Sequence, residues 1–391
     1  MQNLWSETEA KNYTSDLELR VFTSNLLGRS DELVLHGGGN TSVKSIVDGE
    51  ELLLVKGSGW DLVSIKEEGF APVKLDILKE MAKLESLSDS DMVKEQKAAM
   101  TDTLAPNPSI EAILHAIIPY KFVDHTHADA VVTISNSKNG QELIKQVFPN
   151  FLIVPYLMPG FILARDIYRM VEGIDWDSID GIILHNHGIF TFDNDAKISY
   201  DKMIVAVSEA ENFLNNNTTI KYNTTQKEYD VENLVKFLEE SKGHKIFVNI
   251  NQSDVALTYS NQEDLNAFAS RGVLTPEHII RTKRKPLVLK QNDVVEEKLA
   301  IYKKEYEAYF KKYAKDEIML NPSPNYVVIE NFGVISFGKN QKEADIINDI
   351  VSHTMNAVLR ADQLGGYLSI NEKNSFDMEY WELEQAKLKA K

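Results

Sequence analysis

Apolar residues along the chain come in short blocks separated by glycine, proline or polar turns, and the spacing within each block predicts an element. Leu17, Val21, Leu26 and Leu27 recur near helical spacing and predict a helix within residues 1–30. "DELVLHGGGNTSVKS" reads as a strand entering a glycine turn and leaving as a second strand. "EELLLVKGSGWDLVSI" repeats the pattern with a Gly-Ser-Gly turn and a short helix after it. "APVKLDILKEMAKLESLS" is a strand-to-helix passage, and "SDMVKEQKAAMTDT" is helical, closed by the prolines of "LAPNPSIEAILHAIIPY". In that last stretch Ser109 can cap a helix whose first turn holds Glu111, where the helix dipole favours negative charge.

"FVDHTHADAVVTISN" and "FLIVPYLMPGF" have the apolar density of strands. "DGIILHNHGIFTFDNDAKISYDKMIVAVSEAENFL" reads as strand, turn, strand, then a long helix from about Ile198. These elements predict a mixed or antiparallel sheet flanked by helices. A doubly wound dinucleotide fold is excluded, because G-x-G-x-x-G follows none of the strands. Residues 215–230, "NNNTTIKYNTTQKEYD", are polar and read as a linker. Beyond them come more helix and strand, with "RTKRKP" at 281–286 read as a surface turn. "HNHGIFTFDNDAK" from His185 and "ENFGVISFGKNQK" from Glu330 lie 145 residues apart and share Asn, Gly, Phe and Lys at matching places. Four identities over thirteen positions fit either a duplication or two unrelated hairpins.

Composition narrows the class. The 391 residues suffice for two compact domains, and 43% hydrophobic with 26% charged residues is ordinary globular composition. The longest apolar runs fall far short of the roughly 20 residues of a membrane helix. The N-terminus lacks the basic and apolar regions of a secretory signal, so a cytoplasmic protein is expected. With no cysteine, a metal must be held by His, Asp or Glu. A formal net charge of −17 argues against general nucleic-acid binding but not against a small phosphorylated ligand.

The candidate chemistry starts from His125 and His127. In a strand, residues two apart share a face, and two imidazoles there are costly to bury without partners. A second H-x-H, His185 and His187, occupies another predicted strand-turn. Imidazoles converging from adjacent strands supply the three protein ligands of an open metal site, and sulfur-free nitrogen ligands suit Zn(II) and similar ions. Spacing does not choose between His185 and His187, although His187 precedes Gly188. The turns "HGGGNTSVK" and "VKGSGW" are not Walker sequences, yet consecutive small residues can present backbone amides to an anion. Gly39, Asn40, Ser42, Ser58 and Gly59 belong to these turns, and Lys56 can supply countercharge. Glu111 is a candidate general acid/base beside the metal.

In order and separation, "GGGNTSVK", "KGSGWDL", "PSIE", "DHTHAD" and "HNHG" resemble the class II aldolase/adducin family, most of all the aldolase part of bifunctional rhamnulose-1-phosphate aldolase/short-chain dehydrogenases. The motifs cover about residues 15–215, and "TPEHIIRTKRKPL" and "FDMEYWELEQAKL" extend the likeness into the C-terminal half. The resemblance implies a three-layer α/β/α fold with a central, mainly antiparallel sheet in residues 1–215. A linker at 216–230 and a smaller C-terminal α/β region at 231–391, a degenerate repeat or an interface domain, would follow. It further implies a homo-oligomer, a divalent metal on His125, His127 and His187, and Glu111 as the acid/base. Asn40, Ser58, Gly59 and Ser109 match its phosphate-binding positions. The implied reaction is cleavage of a ketose 1-phosphate such as rhamnulose 1-phosphate to dihydroxyacetone phosphate and lactaldehyde. Glu rather than Asp at position 111 favours cleavage over 4-epimerisation, and three retained histidines argue against a non-catalytic adducin-like module. No nucleotide cofactor is expected in this chain.

Overall fold

In the first unit, strand geometry decides where each turn residue ends up. The structure, a computed structural model, describes residues 1–389; residues 390 and 391, the end of the expected C-terminal region, lie outside the described residues. Contacts divide the chain into Met1–Ser135 with Gly140–Asn216, and Asn136–Asn139 with Asn217–Lys391. The first unit holds β1 (Asn40–Val47), β2 (Glu50–Lys56), β3 (Phe70–Lys74), β4 (Phe122–Thr126), β5 (Phe151–Val154), β6 (Gly181–Leu184) and β7 (Gly188–Asp193). They form one sheet in the order β3-β2-β1-β4-β7-β6-β5, antiparallel throughout except for the β5–β6 pair. Asp48 and Gly49 close the β1–β2 hairpin with φ of 52° and 84°, the two positive values of a type I′ two-residue turn.

The strand period separates the layers. On β2, Leu53 and Val55 face a cluster that includes Leu78 and Met81 of helix Leu75–Ala82, Ile113 of helix Ala112–Ile117 and Phe161 of helix Phe161–Met170. Leu52 and Leu54 face the other way, toward Val43 and Leu17 and Val21 of helix Asp16–Gly28. The result is helices on both sides of a mainly antiparallel sheet, the three-layer α/β/α arrangement expected. Between the layers, Arg20 of helix Asp16–Gly28 forms a fully buried ion pair with Asp124 of β4. Asp124 also accepts from Ser199 Oγ, and Arg20 from its other nitrogen donates to Val123 O at 3.4 Å. This pair ties the N-terminal helix and helix Ala196–Asn217 to the strand that carries His125.

Three expectations need correction. "FVDHTHADAVVTISN" is a strand only as far as Thr126; Asp129–Ser135 is a helix whose residues 130–135 are all buried. A continuously buried apolar run has no readable period, so helix and strand look alike in sequence. Residues 31–39 form turns rather than a strand, although Leu33 O still accepts from His127 N at 3.0 Å. The predicted surface turn at 281–286 is partly buried. Lys283 is 5% exposed, its Nζ lies 3.5 Å from the Tyr306 ring centroid, and it donates to Asn321 O at 2.7 Å.

Among the described residues the second unit has four strands, β8 (Phe247–Asn251), β9 (Leu287–Leu289), β10 (Tyr326–Ile329) and β11 (Gly333–Gly338), in the order β8-β11-β10-β9. Leu234, Leu238, Leu299, Val327, Ile335 and Phe337 build its core with helices Val231–Lys242 and Val295–Tyr313. Among the described residues no helix is long and apolar enough to cross a membrane.

Removing one member of a buried ion pair strands the other charge. Arg20→Met is therefore expected to cost about 3–5 kcal/mol in urea unfolding, and Arg20→Met with Asp124→Leu to recover much of that loss.

Candidate metal centre

The antiparallel register brings three separated segments to one end of the sheet. Asn40, the first residue of β1, lies opposite His125 on β4, and His125 lies opposite Phe190 on β7. The glycine turn before β1, the exit of β4 at His127 and the entry of β7 at His187–Gly188 therefore meet. The ligand nitrogens of His125, His127 and His187 all lie within 4.8 Å of one another. His125 and His187 are buried, and His127 is half-buried. His185, the other member of its pair, is outside this cluster, and burial keeps its imidazole below the ordinary pKa.

Backbone geometry sets the approach. Asn186 turns the chain with φ 60°, and His187 N donates to Leu184 O at 3.1 Å. A Cβ at Gly188 would sit 2.4 Å from Thr126 O and 2.9 Å from His125 Cε1, so only glycine lets β7 pass this close. A Cβ at Gly39, which has φ 63°, would sit 2.8 Å from His125 O. The His125 Nδ1 lies 3.0 Å from Ile189 O; a carbonyl can only accept, so Nδ1 carries the proton and Nε2 is left as a ligand atom. The Nε2 atoms of His125 and His127 are 3.0 Å apart.

Glu111 closes the site. It precedes helix Ala112–Ile117 as its cap residue rather than lying inside its first turn, and its own N–H donates to Ser109 Oγ at 3.3 Å. The side chain is 4% exposed, with Oε2 3.4 Å from His125 Nε2 and Oε1 3.8 Å from His187 Nε2. Asn40 Nδ2 donates to Oε2 at 2.7 Å. Behind Asn40 stands His115, one helical turn after Glu111. Its Nε2 donates to Asn40 Oδ1, and its Nδ1 accepts from Ser42 Oγ at 2.8 Å. Burial holds the His115 imidazole well below its usual pKa, so it stays neutral and the relay Ser42–His115–Asn40–Glu111 has one consistent direction. His115 was absent from the sequence-based candidates; the signal was its i+4 spacing from Glu111, which puts both on one helix face.

Three imidazoles without sulfur, one tautomer fixed by a backbone carbonyl, and a buried carboxylate oxygen, Oε1, that accepts no hydrogen bond fit a divalent cation.

The other candidates separate into two groups. Lys56, 5% exposed at the end of β2, donates to Gly37 O at 3.3 Å. Burial pushes its ammonium down to about 8, against the opposing charges of Asp61 and Glu111. Ser58 and Gly59 are exposed, and Gly59 has φ 89°. The amides of Gly57, Ser58 and Ser109 already donate to Gly69 O, Asn107 O and Lys56 O at 2.8, 2.8 and 3.0 Å. Two amides of the expected anion nest, those of Gly57 and Ser58, are thus already taken by carbonyls of the chain itself. Ser42 is placed differently from the expectation: it is fully buried, and its hydroxyl serves His115.

His127→Ala removes the least buried imidazole. The expected result is one bound metal per chain falling to none at concentrations that saturate the wild type, with affinity lost by more than about 100-fold, read by metal analysis after dialysis.

The family described as "Class II Aldolase and Adducin N-terminal domain" matches residues 21–214, and "Aldolase class II, second domain" matches residues 226–388. The structure of the N-terminal class II aldolase domain of a conserved protein from Thermoplasma acidophilum is 40% identical, covers 55% of this chain and 99% of that one, and has a TM-score of 0.50. A Bacillus subtilis (strain 168) protein named "Uncharacterized oxidoreductase YuxG" is 29% identical over 418 residues, spanning 99% of this chain and 60% of that protein. This chain thus spans about 60% of the length of that curated relative. The converging histidines, the carboxylate beside them and the matches across both halves lead to one conclusion: the chain belongs to the class II aldolase and adducin family.

Proposed function

We propose that the chain is a zinc-dependent aldolase that cleaves a ketose 1-phosphate, with rhamnulose 1-phosphate as substrate and dihydroxyacetone phosphate and lactaldehyde as products. The observation that carries the reading is Glu111, a buried carboxylate held by Asn40 against His125 and His187 with one oxygen open. Zinc is favoured among divalent ions by three imidazole ligands and no sulfur. Held by His125, His127 and His187, it would supply Lewis-acid polarisation of the substrate carbonyl.

The chain's own groups account for the remaining work. As the C3–C4 bond breaks, the C4 hydroxyl gives up its proton to become the aldehyde and Glu111 delivers one proton to C3 of the dihydroxyacetone phosphate half, so the proton count is unchanged; in the reverse direction Glu111 takes that C3 proton. Asn40 orients its carboxylate and offers a donor while the charge on that carboxylate changes. Neutral His115 keeps Asn40 in the donating orientation. Lys56, Ser58, Gly59 and Ser109 hold the phosphate, and binding energy from that non-reacting group orients the bond to be broken.

The test is release of dihydroxyacetone phosphate from rhamnulose 1-phosphate, before and after chelation and after zinc is restored. Release that is lost and regained supports the reading. An epimer formed without free triose replaces it with epimerisation, and inactivity of protein that binds no metal replaces it with an assembly role. Lys56 gives a second prediction. A lysine with its pKa lowered to about 8 is charged below that value and neutral above it. The ratio kcat/KM for the phosphorylated substrate should therefore fall as pH rises through about 8, because this ratio reports the free enzyme. In Lys56→Arg that alkaline limb should disappear, since the guanidinium keeps its proton.

A further inference from the structure

The second unit repeats the part of the first that carries the histidines. The two sheets agree in more than a hairpin. β4-β7-β6-β5 and β8-β11-β10-β9 have the same order, and in each the first two pairs are antiparallel and the last is parallel. The elements superimpose by sequence offset. Shifting β4 and helix Asp129–Ser135 by 125 residues gives β8 and helix Asp254–Ser260, with the same limits. Shifting β6, β7 and helix Ala196–Asn217 by 145 residues gives β10, β11 and helix Gln341–Asp362, again with the same limits.

The details inside the elements repeat as well. Val123 pairs with Phe192 as Val248 pairs with Phe337, and Thr126 with Ile189 as Asn251 with Val334. The turn residues Asn186 and Asn331 have φ of 60° and 56°. His185 N donates to Val154 O at 2.9 Å, and Glu330 N to Leu289 O at 2.8 Å. Ser135 Oγ donates to Val132 O at 3.1 Å, and Ser260 Oγ to Leu257 O at 3.0 Å. A Cβ on Gly188 would meet Thr126 O at 2.4 Å; on Gly333 it would meet Asn251 O at 2.3 Å. The sequences keep a trace of this: "FVDHTHADAVVTIS" and "FVNINQSDVALTYS" share Phe, Val, Asp, Thr and Ser at five places. Two unrelated hairpins would share a turn, but not the flanking strands, the crossover and the helix-end hydrogen bonds.

We infer that the second unit is a duplicate of the catalytic half whose metal centre has been erased, so that the chain carries one reaction centre in two homologous frames. The inference rests on the metal reading of His125, His127 and His187. At the matching positions the copy has Ile250, Gln252 and Phe332; the same shift of 125 carries position 111 to Lys236, which lies inside helix Val231–Lys242 rather than at its cap. Ile250 is 44% exposed and Phe332 is 6% exposed, so one former ligand position opens to solvent and another is packed in the core. The glycine turns at 37–39 and 57–59, with β1 to β3, come before the repeated stretch, and the sheet of the second unit has no strands in their place among the described residues. The copy retains the scaffold that holds ligands together and none of the groups that bind them.

If the frame is the same, putting the ligands back should restore a site. Zn(II) is counted per full-length chain by isothermal titration and metal analysis in the wild type, in Ile250→His/Gln252→His, and in Ile250→His/Gln252→His/Phe332→His. The wild type should bind one ion; two would show that the second unit has not lost its site. The triple variant should bind a second ion, tighter than any second ion in the double variant by at least about tenfold, the lower end of what even an outer-shell partner contributes to metal affinity. Equal binding by double and triple variants, with the first site still filled, would overturn the duplication, because position 332 would not converge on positions 250 and 252. A wild type that binds no ion would instead overturn the metal reading and leave the frame to be judged by the triple variant alone. Should Phe332→His unfold the second unit, Phe332→Cys, a smaller and less polar zinc ligand, replaces it in the triple variant and is judged by the same comparison with the double variant.

Discussion

The site depends on the position of β4 between β1 and β7. Each antiparallel register fixes one neighbour: Asn40 opposite His125 on one side, Ile189 opposite Thr126 on the other. A slip of one residue in either pairing would turn its side chains to the opposite face and separate the histidines from Glu111. The fully buried Arg20–Asp124 pair on the residue before His125, together with glycine at 39 and 188 where backbones nearly touch, holds that register from both sides. What looks like a local cluster of histidines is therefore a consequence of sheet pairing between residues 40, 125 and 190.

Parts of this were legible in the sequence, for physical reasons that differ by residue. His125 and His127 stood out because imidazoles two apart in an apolar run demand an explanation. Gly188 stood out because glycine beside a candidate ligand signals close approach, and Gly39 because a run of small residues can present amides to an anion. Hidden were the features that depend on tertiary partners. The fully buried run 130–135 gave no period, so a helix passed for a strand. Ser42 reads as a side-chain donor of the glycine turn, but its hydroxyl is taken by His115. Lys283 looked solvated because it lies among other basic residues, yet it stacks on Tyr306 in the core of the second unit.

The repeated frame gives the 145-residue likeness between the two halves a physical basis. Backbone constraints outlast side-chain chemistry: asparagine still turns at 331 and glycine still clears a carbonyl at 333, while the ligand positions became Ile, Gln and Phe. Folding requires the first set of residues, and chemistry alone requires the second.

The central claim is that Glu111 moves the proton at the carbon next to a metal-polarised carbonyl. Exchange of the C3 hydrogen of dihydroxyacetone phosphate with D2O, followed by NMR in the absence of any aldehyde, isolates that step. The account predicts exchange in the zinc-loaded wild type, and in Glu111→Gln a rate lower by about 10²–10⁴-fold with zinc content unchanged. Exchange at the wild-type rate in Glu111→Gln would contradict it.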